Sequence, residues 1–332
     1  MQVSSVLLSL SAVMTMAAPA SDFQHQFSLI NDNSRASGFR GEQSQASRAL
    51  LSWDWQYALP AQWQMAGSLK AFRGRNGELL TDNIQGISNI DAAHFNKIYE
   101  LYLQYQLDDT SRIKCGQVDA NLEFAFVPAA AGFISPPLGI TPTAVALPTY
   151  YDPAASCSVF YEPAQGFQWM SGFFAGEGHS DFSAQFTVAE GRYVSAYSRT
   201  SYGYWRHHGD WTTRTATSLR AVSGWYLNHQ QQLSARLVLF GVWSGLNDDV
   251  DVLHQHRMLG LVWQPGAQAQ QFGLMYSMVT AAERQSEQMI EGYWQWTVTS
   301  QLQLQPVLQW VHHADPTRPH SLVATLRLMA QF

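Results

Sequence analysis

Four polar side chains fall within ten residues of one another: Lys114, Asp119, Asn121 and Glu123. Ammonium groups donate hydrogen bonds, carboxylates accept them, and amides do both. Such a set can take over the hydration hydrogen bonds of a hydroxyl-rich solute, and its opposed charges favour neither sign of ion. Asp119, Asn121 and Glu123 alternate, so an extended strand would put them on one face. Glu100, Arg220, Arg236 and Arg327 place further charge between apolar neighbours. Other chemistry is not signalled. His207-His208, His254 with His256, and His312-His313 fall in expected loops or strand ends, with no acidic or Cys partner at zinc-site spacing. The acidic run at Asn247-Asp248-Asp249 and Asp251 lacks a calcium-loop pattern and reads as a solvated loop. No Gly-rich phosphate loop opens a helix. A hydrolase needs Ser and His within hydrogen-bond reach, and the 11 His and many Ser neither supply nor exclude that. No catalytic residue, metal or cofactor is assigned.

The elements that must position these groups are strands, because apolar and polar residues alternate with period two. Leu51, Trp53, Trp55, Tyr57 and Leu59 are interleaved with Ser52, Asp54 and Gln56. Phe95, Tyr99, Leu101, Leu103, Tyr105 and Leu107 alternate with Asn96, Glu100 and Gln104. The same holds for Leu233, Leu237 and Leu239 with Arg236, and for Ile290, Trp294, Trp296 and Val298. It holds again for Leu302, Leu304, Leu308 and Trp310, and for Leu322, Ala324, Leu326, Leu328, Ala330 and Phe332. Nothing repeats at helical spacing. The polar face includes Asp54, Gln56, Lys70, Asn96, Gln104, Arg214, Gln295, Gln303, Gln305 and Gln309 besides the charges named above.

Composition says what the apolar face meets. Only 13% of the 332 residues are charged while 46% are hydrophobic, against about a quarter charged in soluble proteins. Past the N-terminus no apolar run approaches the roughly 18 residues of a spanning helix. A closed barrel is the other structure that satisfies every backbone group in a bilayer, and 12 Trp, 14 Tyr and 17 Phe suit its aromatic girdles. The charge of −6 gives no reason to expect nucleic acid. Residues 1–20 read as an export signal, with Val6–Met14 apolar and Ala18-Pro19-Ala20 as cleavage site, although no Lys or Arg precedes Arg35. Residues 21–332 then form one domain. Cys115 and Cys157 are either bridged across neighbouring strands or free and buried.

Connections alternate between long and short. Short ones are expected at Leu59-Pro60-Ala61, Asp108–Ser111, Ala164-Gln165-Gly166, Glu190-Gly191, Asn228–Gln231, Gln264-Pro265-Gly266 and near Ser300. Longer ones are expected at Arg206–Asp210, Asn247–Gln255, Ala281–Gln288 and His313–His320. This rhythm predicts a transmembrane antiparallel β-barrel of about sixteen strands, turns on the periplasmic rim and loops outside. One segment, 126–156, shows no alternation, is nearly uncharged and holds Pro128, Pro136, Pro137, Pro142, Pro148 and Pro153. An apolar segment of that length is expected to fold into the barrel and narrow it, with packing against another subunit as the alternative.

The stretch Lys114-Cys115-Gly116-Gln117-Val118-Asp119-Ala120-Asn121 resembles the Gly-Lys-x-Asp-x-Asn region of the carbohydrate-selective porins of OprB type. The C-terminal run from Leu302-Gln303-Leu304-Gln305-Pro306 through Leu326-Arg327 to Phe332 resembles the family's closing strands, and Leu259-Gly260-Leu261-Val262-Trp263-Gln264 a segment of its second half. Asp315-Pro316 stands where Asn-Pro is usual, the following Gly is absent, and Cys115-Gly116 departs from the usual order. The likeness runs from about Arg112 onward. It implies a sixteen-stranded, water-filled barrel in the bacterial outer membrane that passes small sugars without energy input. The terminal Phe332 would be read by the barrel-assembly machinery. Outer-membrane lipids and a homotrimer are the further partners to expect. The solute contacts would come from Lys114, Asp119, Asn121, Glu123, Glu100, Arg220, Arg236 and Arg327, with Phe126, Phe133, Tyr150 and Tyr151 offering ring faces. A lipase-like barrel enzyme and an adhesin or structural barrel are the alternatives.

Overall fold

The computed structural model describes residues 23–38, 44–77, 80–135, 141–176, 181–212, 218–247, 253–266, 270–281 and 285–332, without the side chains of 210–212, 218–220 and 281. The expected export segment, Arg214 and the acidic run at 248–251 lie outside the described residues. The strands are β1 (Phe23–Ser37), β2 (Gln45–Ala58), β3 (Trp63–Gly74), β4 (Phe95–Asp108), β5 (Ser111–Val118), β6 (Ala154–Ala164), β7 (Phe167–Ala175) and β8 (Gln185–Val194). They continue as β9 (Ser198–Thr212), β10 (Ser218–Ser234), β11 (Leu237–Leu246), β12 (Leu253–Trp263), β13 (Gln270–Ala281), β14 (Ser286–Thr297), β15 (Leu302–His312) and β16 (Ser321–Gln331). Each pairs antiparallel with its sequence neighbour, and β1 pairs with β16 to close the barrel. Phe27 and Phe332 exchange backbone hydrogen bonds of 3.1 and 2.9 Å at the seam. Closure leaves no strand edge to hydrate, which is what a bilayer requires.

Side-chain alternation sorts the two faces. Leu51, Leu69, Leu101, Val159, Leu259, Leu274, Leu308 and Leu326 are exposed around the outside, while Ser52, Ser68, Glu100, Ser158, Gln305, Gln309 and Arg327 are buried within. A soluble protein inverts that arrangement; here the exposed apolar band meets lipid. Near the short connections the outer face carries packed aromatics. Trp63 lies 4.6 Å from Tyr105, Phe167 4.8 Å from Tyr193, Phe272 5.0 Å from Trp294, and Trp294 4.1 Å from Trp296. Cys115 and Cys157 face each other in the β5–β6 register and are bridged.

Several expected boundaries move. Glu190-Gly191 lies inside β8, and the turn comes at 195–197. A Cβ on Gly191 would press on the Trp169 ring at 3.0 Å, so the glycine there makes room for the ring and does not mark a turn. Arg206–Asp210 lies inside β9, and His207, His208, His254 and His256 all sit within strands. The turn expected at Asn228–Gln231 falls at 235–236, which takes Arg236 off the wall and leaves it exposed. A two-residue turn preserves parity, so Leu233 and Leu237 read as one continuous strand. In β4 a bulge leaves Tyr99 as the extra residue between the Leu69–Ile98 and Ser68–Glu100 pairs. One extra residue reverses the faces beyond it: Phe95 and Tyr99 turn inward, and Asn96, expected on the inner wall, is exposed on the outer side. Asp119, Asn121 and Glu123 do not share a strand face, because β5 ends at Val118 and residues 120–122 form a 3-10 turn capped by Asp119.

Face assignment sets a simple expectation. Leu259→Arg, at the centre of the outer face of β12, should lower barrel stability by about 2–4 kcal/mol in lipid, while Gln295→Arg on the inner wall should cost little. Denaturant midpoints of the two variants folded into the same vesicles check this.

Candidate functional site: a paired-charge wall and two inserted segments

The β5–β6 connection begins where Asp119 stops the strand. Its carboxylate accepts from the Asn121 N–H at 2.9 Å and from the Tyr99 hydroxyl, and its own N–H donates to Glu100 at 3.0 Å. The tight turn this creates swings Glu123 back over β5. There Glu123 accepts from Lys114 at 2.9 Å and from Arg112 at 3.0 Å. Burial alone would lift the Glu123 carboxyl, but Lys114 and Arg112 beside it hold it down at about 2. Lys114 also stands 3.8 Å from the centre of the Tyr102 ring, and Arg112 3.5 Å from that of Phe160. On β8, Arg192 pairs with Glu190 at 2.7 Å and donates to the Glu123 carbonyl at 2.7 Å. Each of these three cations faces a carboxylate, while Asp119 and Glu100 are held by hydroxyl and N–H donors.

Two irregular segments, 75–94 and 119–153, pack against inward-facing side chains of the wall. The Glu291 carboxylate accepts from the N–H groups of Ile134 (2.7 Å) and Ser135 (3.0 Å) and from Gln309 (3.0 Å). Glu190 accepts from the Ala125 N–H at 2.8 Å, and Gln305 donates to the Gly132 carbonyl at 2.6 Å. Gly132 lies so close to Tyr293 that a Cβ would stand 2.3 Å from its hydroxyl. Phe133 is fully buried between Phe240 and Tyr293, at 5.5 and 4.9 Å. The earlier segment was not anticipated. Glu287 accepts from the N–H groups of Ile84 (2.8 Å) and Gln85 (3.0 Å), and Gln309 donates to the Ile87 carbonyl at 2.9 Å. Arg327 clamps Asp32 with two bonds of 2.7 and 2.8 Å and reaches Asn89 at 2.7 Å. Arg48 pairs with Asp91 at 2.6 Å. The segments also meet each other, through Asn89 N–H to Ile134 carbonyl (2.6 Å) and Tyr150 hydroxyl to Ile90 carbonyl (3.0 Å).

Toward the short connections the wall becomes a belt of amides. Arg112 donates to Gln104 (2.8 Å), Gln104 to Gln64 (3.4 Å), Gln64 to Gln56 (2.8 Å) and Gln56 to Gln24 (2.7 Å), a relay across five strands. Gln295 donates to Gln303 at 2.8 Å in the same way across β14 and β15. Alternation had picked out Gln56, Gln104, Gln295 and Gln303; Gln24 and Gln64 were missed.

Of the expected site residues, Glu100, Lys114, Asp119 and Glu123 come together. Asn121 is buried and donates to the Phe124 carbonyl at 3.1 Å, which makes it a brace of the turn. Arg327 belongs to the separate cluster on Asp32. Arg236 sits in a rim turn, and Arg220 lies on β10 with its side chain outside the described ones. Phe133 and Tyr150 are used for packing and hydrogen bonding, not as free ring faces. Among the described residues no group of His, Cys, Asp and Glu could hold a metal ion.

A closed barrel of sixteen antiparallel strands with an apolar exterior and a polar, charge-paired interior has the architecture of the outer-membrane porins. Residues 175–332 match the family model described as carbohydrate-selective porin, OprB family. Over those residues the resemblance read from the sequence holds, while the Lys114–Asn121 stretch lies outside the match; the protein is a porin of the bacterial outer membrane. No curated protein matches the sequence. Among solved structures, the high-pH form of Pseudomonas putida OprB aligns with a TM-score of 0.84 at 12% identity, over 94% of both chains. Its low-pH form gives 0.63 at 14% identity, over 94% of this chain and 93% of that one. A variant of Rh. blastica porin gives 0.63 at 9% identity, over 93% of this chain and all of the other. At such identities the likeness is one of fold.

Two substitutions probe the clusters separately. Glu123→Gln leaves Lys114 and Arg112 without their shared anion, so the zero-current potential in a salt gradient should shift toward anion selectivity. Because Glu123 is held at about 2, against an ordinary 4.5, the pairing that stabilises this cluster is complete above about pH 4.5. It is lost only as pH falls through about 2, so wild-type selectivity from this pair should hold from pH 7 down to 4.5. Arg327→Met strands the buried Asp32 carboxylate and should cost about 3–5 kcal/mol of barrel stability, much of it recovered in the Asp32→Asn/Arg327→Met double variant.

Proposed function

We propose that the barrel passes small neutral, hydroxyl-rich solutes, sugars foremost, by passive diffusion, through a lumen narrowed by the 119–153 and 75–94 segments. The observation that carries this is the charge matching of the wall: Arg112 and Lys114 with Glu123, Arg192 with Glu190, Arg327 with Asp32, and Arg48 with Asp91. Matched pairs offer donors and acceptors without a net field for ions. The amide belt continues the path with groups that both donate and accept. Weak contacts repeated along a path suit conduction, since tight binding would hold the solute back. Phe332, whose backbone seals the seam against Phe27, is also the group the barrel-assembly machinery would read.

The lipase-like alternative finds little support in the Ser–His contact on the inner wall. His256 meets Ser277 at 2.8 Å, but the Ser277 hydroxyl donates to Gln85, and His256 Nδ1 has no partner to orient the ring as a base. The pair is buried beneath the 75–94 segment. We therefore read the protein as a channel and not an enzyme.

The test is ion conductance and sugar uptake in one liposome preparation of purified barrel. Stepwise conductance that falls when glucose is added, together with glucose entry into the vesicles, is expected. Neither signal, from barrel that still shows heat-modifiable migration, would remove the channel and return the enzyme and adhesin readings.

A further inference from the structure

The inner wall holds a second polar site that the paired clusters do not use. Arg199 and Ser201 of β9, Asn228 and Gln230 of β10, and Phe126 and Pro128 of the inserted segment border a small, half-open cavity with room for little more than a water-sized group. Several of its polar groups lack partners. Ser201 Oγ, Arg199 Nε and both amide atoms of Asn228 are shut off from solvent without a hydrogen bond, and Ser201 and Asn228 are 2% and 4% exposed. Buried polar groups are nearly always satisfied, so three neighbouring side chains with spare capacity mark a place built to receive one.

Charge says what kind. Glu190, the carboxylate that acts on Arg199 across space, is already taken by Arg192 (2.7 Å), the Tyr226 hydroxyl (2.6 Å) and the Ala125 N–H (2.8 Å). Arg199 is left with the Phe126 ring, 5.5 Å from its guanidinium carbon, as its neighbour. Arg112, Lys114, Arg192, Arg327 and Arg48 each face a carboxylate; Arg199 faces a cavity. The site's other walls are fixed, since the Gln230 side-chain oxygen Oε1 accepts from the Ala129 N–H at 3.1 Å and holds the segment in place.

We propose that this cavity is a subsite for the carboxylate of a sugar acid, an aldonate or uronate, in transit through the channel. A guanidinium fits a carboxylate with parallel charge-assisted bonds. The Asn228 amide and Ser201 hydroxyl, buried at the wall of the cavity, are further donors for the carboxylate that enters, and Phe126 with Pro128 forms the apolar part of that wall. The cavity is too small for a ring, so the carboxylate end enters and the ring remains in the lumen. The inference rests on the porin reading and adds a second solute class to it.

The test is single-channel conductance in planar bilayers at fixed KCl, titrated with glucose, glucuronate or acetate. Glucuronate should reduce conductance at about tenfold lower concentration than glucose, the worth of one charge-assisted contact. Arg199→Gln and Asn228→Leu should each bring glucuronate to the glucose level while leaving the glucose titration unchanged. Arg199→Lys, which keeps the charge, should retain part of the preference, and heat-modifiable migration shows that each variant is folded. Equal action of glucuronate and glucose on the wild type would overturn the subsite and leave the sugar channel standing. Acetate as effective as glucuronate would overturn the sugar-acid assignment in favour of a small-anion site. Absence of conductance from folded barrel would overturn both readings.

Discussion

Everything inside this barrel depends on one constraint: irregular backbone placed within a closed wall must find hydrogen-bond partners for its N–H and C=O groups. The strands cannot supply them, because their own groups are spent on the ladder. Side chains of the wall do it instead. Glu287 and Glu291 each accept two successive backbone N–H groups, Glu190 accepts one, and Gln305 and Gln309 donate to carbonyls. A carboxylate suits adjacent N–H groups because it has two acceptor oxygens, and charge-assisted bonds are about twice as strong as neutral ones. The inner wall is therefore a template onto which the segments are laid. Apolar packing of Phe133 between Phe240 and Tyr293 completes the fit.

That use of acidic residues settles which charges remain for the solute. Glu287 and Glu291 are committed to holding backbone, so the lumen's cations are neutralised by others: Glu123 for Arg112 and Lys114, Glu190 for Arg192, Asp32 for Arg327, Asp91 for Arg48. Glu123 and Asp91 belong to the inserted segments themselves. The segments thus bring the counter-charges with them, and a lumen built from the strands alone would be more basic at these points. Laying the segments on the wall and matching its charge are one event.

The wall was legible in the sequence because a barrel's two faces are two solvents, and alternation records the difference residue by residue. Leu322 through Leu328 and Gln303 through Gln309 lie on the faces that period two assigns them. What alternation cannot record is parity-neutral or parity-breaking geometry. The two-residue turn at 235–236 keeps the rhythm and hid itself, misplacing Arg236; the bulge at Tyr99 broke it and misplaced Asn96. Among the site residues, Lys114, Glu100 and Glu123 were visible as charges amid apolar neighbours. The turn that brings Glu123 over Lys114 depends on Asp119 capping, a local competition between side chain and strand ladder that a strand reading overlooks. The 75–94 segment was invisible for a different reason. It has no run of prolines to announce it, and its inward fold is decided by partners some two hundred residues away, such as Glu287 and Gln309.

The belt of glutamines shows how a neutral lining is built without sacrificing order. An amide whose Nε2 donates to the next amide's Oε1 keeps one further N–H and acceptor capacity on its oxygen. In the relay from Arg112 through Gln104, Gln64 and Gln56 to Gln24 every link is directional, set by the guanidinium at its head, which can only donate. Orientation is thus imposed from one charged end, while each amide still presents a donor and an acceptor to the lumen. A row of hydroxyl-bearing side chains would lack that fixed sense, and a row of charges would select ions. Spacing follows from the sheet, since neighbouring strands stand about 4.8 Å apart, so a polyol passing the belt faces several of these groups at once.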